Sequence, residues 1–195
     1  MLDRLIISID GTNEQSYKKY RIGGNLTKVL DGTTNLVNAK KDLNSSKPYI
    51  IWQFIVFKHN EHEIDIIKKM ALDYKIDKLK IKTAQVYNFD ENSDKLIPQN
   101  QKYSRYETKN GFKIKNNLYN HCWRMWQGCV ITWDGDIVPC CFDKDASYKL
   151  GNAGYDNFRK IWESDRYNNF RNAIFKSRKE IDICSNCSEG TKIWI

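Results

Sequence analysis

All six cysteines of this 195-residue chain lie beyond position 121, and four of them come from three separated stretches: Cys122, Cys140, and the pair in Cys184-Ser-Asn-Cys187. The N-terminal Met1-Leu2-Asp3-Arg4-Leu5 lacks the charged and apolar regions of a signal peptide. The apolar run from Tyr49 to Phe57 is too short to cross a bilayer. These features predict a cytoplasmic protein with no membrane partner. In a reducing compartment, cysteines gathered at one end of a chain point to metal or redox chemistry rather than a disulfide framework. Four thiolates suit an iron-sulfur cluster or a tetrahedral zinc ion, and spacing alone leaves both open.

The stretch Cys129-Val-Ile-Thr-Trp-Asp-Gly-Asp-Ile-Val-Pro-Cys140 predicts a β-hairpin, with Asp134-Gly135 as a two-residue turn between alternating β-prone residues. Its second strand delivers Cys140 and Cys141 at Pro139, where a ladder stops. Adjacent strand residues face opposite ways, so only one of the two is expected at a shared centre, and Cys140 is the expected one. Cys129 opens an apolar strand and reads as a core residue. Trp123, Trp126, Trp133 and Trp162 are placed either to shield a metal centre from water or to fill a small core. His59, His62 and His121 carry no expected chemical role.

The first half has a different pattern. Leu5 to Ile9, ended by Asp10-Gly11, predicts a buried strand. Asn25 caps a predicted helix carrying Leu26, Val29, Leu30, Thr33, Leu36 and Val37. A second strand follows over Ile50 to Phe57, then a helix capped by Asn60 with Ile64, Ile67, Met70 and Ala71 on one face, then a third strand over Leu79 to Val86. Strands alternating with amphipathic helices predict a parallel sheet. The polar stretch from Asn88 to Asn120 reads as a connection. The net charge of +8 comes from scattered lysines such as Lys18, Lys19, Lys40, Lys41, Lys68 and Lys69, without the basic and aromatic interleaving of a nucleic-acid surface, so no nucleic-acid partner is expected.

Cys122, twelve residues, Gly135, four residues and Cys140 resemble the opening motif of SPASM domains, the auxiliary-cluster modules of many radical S-adenosylmethionine (SAM) proteins. Pro139-Cys140-Cys141, Gly151-Asn152, Ile161-Trp162, Arg171, Cys184 and Cys187 extend the likeness. The resemblance implies Cys122, Cys140, Cys184 and Cys187 as ligands of one auxiliary 4Fe-4S cluster. The seven-cysteine pattern that supports two clusters is absent from the sequence. Ile7-Ser8-Ile9-Asp10-Gly11 with Tyr20-Arg21 resembles the fourth strand of the radical SAM barrel and the loop behind it, which implies an S-adenosylmethionine-contacting role for Ser8, Asp10 and Arg21.

The fold class so expected is α/β: a partial parallel (β/α) barrel of about three strands and two main helices over residues 1–90, a connection over 91–118, and a small hairpin-plus-helices SPASM-type domain over 119–195. The CxxxCxxC loop that ligates the family's catalytic cluster does not occur in the sequence. The resemblance therefore implies no autonomous radical catalysis, with S-adenosylmethionine bound only if the missing barrel half is supplied. A half barrel leaves a strand edge unpaired, and such edges pair or aggregate. The expected partner is a chain supplying the N-terminal half barrel, or a second copy in a homodimer. The alternative from another class is a zinc-stapled binding module built on the same four cysteines.

Overall fold

Tyr49-Ile-Ile-Trp-Gln-Phe-Ile-Val56 is apolar almost throughout, as a strand buried on both faces requires, and it becomes the middle strand of a three-stranded parallel sheet. The computed structural model describes residues 2–86, 93–107, 113–115, 117–187 and 189. In chain order the sheet unit contains β1 (Arg4–Ser8), α1 (Glu14–Tyr20), α2 (Leu26–Asp42), β2 (Tyr49–Val56), α3 (Ile64–Asp73) and β3 (Lys78–Thr83). The strand order is β1-β2-β3, with Arg4 opposite Tyr49 and Ile51 opposite Lys78. Ile9, Trp52, Phe54, Val56, Ile64 and Ile67 form its core, and the indole Nε1 of Trp52 donates to Thr33 Oγ1 at 3.4 Å. Asn25 caps α2 as its sequence predicts, accepting from the Lys28 amide at 2.9 Å.

Three local features differ from the sequence-based expectation. The short helix α1, capped by Asn13, occupies what reads as loop. Asn60 does not cap a helix. Its fully buried side chain accepts from the Phe57 amide at 2.7 Å and donates to the carbonyls of Asp10 and Ile55, both at 3.0 Å. A 3-10 turn over Glu61–Glu63 then leads into α3. The third strand stops at Thr83, because the Val86 amide turns to donate to the buried Tyr106 hydroxyl at 3.0 Å.

The described residues of the polar stretch read as a connection carry α4 (Ser93–Leu96), β4 (Tyr106–Glu107) and β5 (Lys113–Ile114). Tyr106 is fully buried with Val86 and Ile97, and Ile114 packs against them. The first compact unit accordingly runs from Met1 to Lys115, and the second from Asn116 to Ile195.

The second unit contains α5 (Arg124–Gln127), β6 (Val130–Ile131), β7 (Asp136–Val138), β8 (Gly151–Asn152), α6 (Phe158–Trp162), α7 (Asp165–Ser177) and α8 (Asp182–Ser185). The strands make an antiparallel sheet in the order β6-β7-β8. The predicted hairpin is present, but its turn holds three residues rather than two. The Gly135 amide donates to the Thr132 carbonyl, and Gly135 takes a φ of +86° beyond Trp133 and Asp134. A Cβ at Gly135 would also sit 2.9 Å from Asn152 Oδ1, so a larger residue would have to push that side chain aside. Met125, Ile137, Leu150, Ile161, Tyr167 and Ile174 form the core. Among the described residues, no helix is long and apolar enough to cross a membrane.

Candidate metal centre

The four cysteines singled out by spacing come from three parts of the second unit: Cys122 just before α5, Cys140 just after β7, Cys184 inside α8 and Cys187 just after it. Cys122 and Cys184 are buried members of one hydrophobic core, and Cys140 packs against that core. Cys187 is buried as well, and all four are free thiols. Polar bonds tie the segments together. The Tyr148 hydroxyl, on the loop following Cys140, donates to Asp182 Oδ1 at 2.7 Å, and the Glu189 amide donates to the Cys187 sulfur at 3.3 Å.

Arg171 holds the helices in place behind this core. Its guanidinium donates to the Met125 carbonyl at 3.1 Å and the Trp162 carbonyl at 2.9 Å, and lies 4.0 Å from the Tyr167 ring centroid and 4.5 Å from that of Trp162.

Burial dominates the electrostatics of Cys140, Cys184 and Cys187. Burial pushes the Cys140 thiol up to about 11, offset in part by the Phe142 amide and reinforced by Cys187, Cys141 and Cys122. Burial likewise pushes Cys184 up to about 12, with Cys140, Cys187 and Cys122 adding to the rise and Arg178 opposing it. Cys187 is raised by burial, against the Glu189 amide and Arg178. These thiols are neutral in the metal-free protein at neutral pH and release protons when they bind a metal.

Folded-state values above the ordinary 9.0 favour the protonated thiol, so the stabilisation is complete below about pH 8.5 and lost as pH climbs towards 11 to 12. Urea denaturation of the metal-free chain across that range should show a steeper loss than the same series on a Cys140→Ala/Cys184→Ala variant. Equal slopes would refute this account.

Among the described residues, no three His, Cys, Asp or Glu side chains form a group that could hold a single metal ion as placed. Cys141 is exposed and accepts from Arg124 Nη1 at 3.5 Å, so the adjacent cysteines face different surroundings. Cys129 is partly buried against the core, and burial raises its thiol. A cleft of about 240 Å³ runs along Arg124, Gly128, Cys129, Pro139, Cys140 and Cys141. Of the tryptophans, Trp133 is 98% exposed at the hairpin tip and shields nothing, whereas Trp162 packs on the core.

In the first unit, Ser8 is the last residue of β1, opposite Gln53. Asp10 is fully buried: Oδ2 accepts from Arg21 Nε at 2.6 Å and Oδ1 from the Ile55 amide at 2.7 Å. Burial pushes the Asp10 carboxyl above its ordinary range in spite of the Ile55 amide and Arg21. Sequence reasoning missed Glu63, which is 2% exposed and accepts from the Thr12 amide, the Asn13 side chain and the Ser16 hydroxyl. An acid in a polar Asn-Glu-His-Glu run carries no sequence signal for burial.

The family model described as "SPASM: Iron-sulfur cluster-binding domain" matches residues 122–188. Over 60 residues the chain is 32% identical to the S-adenosyl-L-methionine-dependent 2-deoxy-scyllo-inosamine dehydrogenase of Niallia circulans, a match covering 30% of this chain and 24% of that enzyme. In structure the chain is similar to native anSMEcpe with bound AdoMet, at a TM-score of 0.56 and 13% identity over 97% of this chain and 61% of that one. The same protein with AdoMet and the Kp18Cys peptide gives a TM-score of 0.55 at 13% identity, over 97% and 62%. The chain thus spans less than two thirds of these relatives, and the structural likeness carries the fold. With its candidate cysteines, hairpin and Gly135 spacing, the segment 122–188 matches the model of the SPASM iron-sulfur cluster-binding domain.

Proposed function

We propose that the second unit holds one auxiliary 4Fe-4S cluster on Cys122, Cys140, Cys184 and Cys187, as the C-terminal part of a radical SAM protein. The observation that carries this reading is that Cys122 and Cys184 lie in one hydrophobic core with Cys140 packed against it, and that Cys187, three residues after Cys184, is a buried free thiol as well. A tetrahedral zinc draws its sulfurs to about 2.3 Å from one point. A four-iron cluster spreads them over four metal atoms, a wider frame. Such a cluster supplies one-electron exchange or a substrate-binding iron when bound. The chain supplies buried thiols, amides aimed at them, and a cleft along Cys140 through which a small molecule can approach.

The first unit is then part of a (β/α) barrel, with Ser8, Asp10 and Arg21 on the S-adenosylmethionine side. The CxxxCxxC loop that would hold a catalytic cluster does not occur in these 195 residues. A partner supplying the remaining barrel strands, or a second copy, would extend the sheet beside β1, an edge strand among the described residues. Anaerobic purification followed by metal and acid-labile sulfide analysis tests the reading. Iron and sulfide in equal amounts, near the stoichiometry of a four-iron cluster, are expected. Stoichiometric zinc without sulfide would replace it with the zinc-stapled module.

A further inference from the structure

Arg178 follows α7 and is among the largest fully buried side chains in the protein, at 0% exposure. Burying a guanidinium is costly unless an anion or a full set of acceptors meets it. Among the described residues, no carboxylate lies within ion-pair distance of it. Two carbonyls accept from it, and its side chain also hydrogen-bonds the Cys187 thiol. Nη1 donates to His121 at 2.9 Å and Nη2 to Glu189 at 2.7 Å, while Nε is buried without a hydrogen-bond partner. These two carbonyls flank the cysteine set, one directly before Cys122 and one two residues after Cys187. The same Glu189 residue donates its amide to the Cys187 sulfur. The Arg178 amide itself donates to Asn120 Oδ1 at 3.1 Å, and Asn120 Nδ2 donates to the Lys176 carbonyl at 3.0 Å, so the strut is fixed at its own end too.

A cation placed between the first and last cysteine segments, lacking a carboxylate and carrying an orphaned N–H, awaits negative charge from the thiolates. Resting on the four-cysteine cluster reading, we propose that Arg178 is the counter-cation of that centre, a positioning residue that braces the Cys122 and Cys187 segments and holds the reduction potential up. A positive charge nearby favours the reduced, more negative state, so removing it lowers the potential.

The test uses the full chain, reconstituted anaerobically with iron and sulfide, and reads the potential by a spectroscopically monitored redox titration. Arg178→Gln should shift the one-electron reduction equilibrium at least tenfold towards the oxidised state, about 59 mV downward. Arg178→Lys, which keeps the charge, should stay within about half that shift. If Arg178→Gln does not fold while Arg178→Lys folds and keeps its potential, the charge is still identified as the requirement. The proposal is overturned if Arg178→Gln loads iron at an unchanged potential, if Arg178→Lys shifts as far as Arg178→Gln, or if both variants fail to fold. A wild-type chain that takes up no iron and sulfide instead overturns the cluster reading beneath it, which separates the two failures.

Discussion

Replacing Cys184 with alanine in the full chain is expected to empty the proposed cluster site, lowering iron retention by more than about 100-fold, since losing even an indirect supporting contact commonly costs 10- to 100-fold in metal affinity. Cys184 sits inside α8, buried in the same core as Cys122 and Ile181. Cys122→Ala, Cys140→Ala and Cys187→Ala should act alike. Cys129→Ala and Cys141→Ala should retain iron, because the first thiol packs on the core and the second is exposed towards Arg124. Iron and sulfide analysis of the six variants decides the matter. Loss in Cys141→Ala with retention in Cys140→Ala would move the ligand by one residue. Retention in Cys184→Ala would end the four-cysteine assignment.

The second large effect belongs to Asp10. Its oxygens are engaged by Arg21 and by the Ile55 amide at the end of β2, and its own carbonyl accepts from Asn60. Asp10→Ala strands that amide in the interior and leaves Arg21 without its partner. A cost of about 3 kcal/mol is expected, at the lower end for breaking a buried pair because the Arg21 side chain is 32% exposed and can hydrate. Asp10→Asn keeps an acceptor for Ile55 and should cost less. Urea denaturation of the three proteins gives the comparison; an Asp10→Ala chain within about 0.5 kcal/mol of wild type, the ordinary range for a surface change, would show that the carboxylate does not hold the sheet end together.

The parallel strands and the helix capped by Asn25 were legible because burial on both faces writes a continuous apolar run, and capping writes a polar residue before a periodic one. The hairpin was legible too, although Asp134-Gly135 suggested a shorter turn than the three-residue loop that Gly135 closes. Tertiary contacts hid the rest. Asn60 sits where a cap would, yet the interior claims its amide; Glu63 is buried by bonds from residues about fifty positions away. Tyr106 builds a small core inside a stretch whose composition is polar. The cysteine spacing named the candidate ligands, but nothing in the sequence marked Arg178, an arginine among lysines in Lys176-Ser-Arg-Lys-Glu180, as the residue that bridges them.

That bridge has a kinetic corollary. The Cys122 and Cys187 segments lie 65 positions apart, and closing so long a loop costs entropy before any contact within it is rewarded. During synthesis the Arg178 guanidinium can grip the His121 carbonyl as soon as α7 has formed, but its second grip waits for Glu189 to emerge. The hairpin and helices would therefore dock first, as a template of hydrophobic contacts, and the proposed centre would be completed last, once Cys187 and Glu189 have emerged.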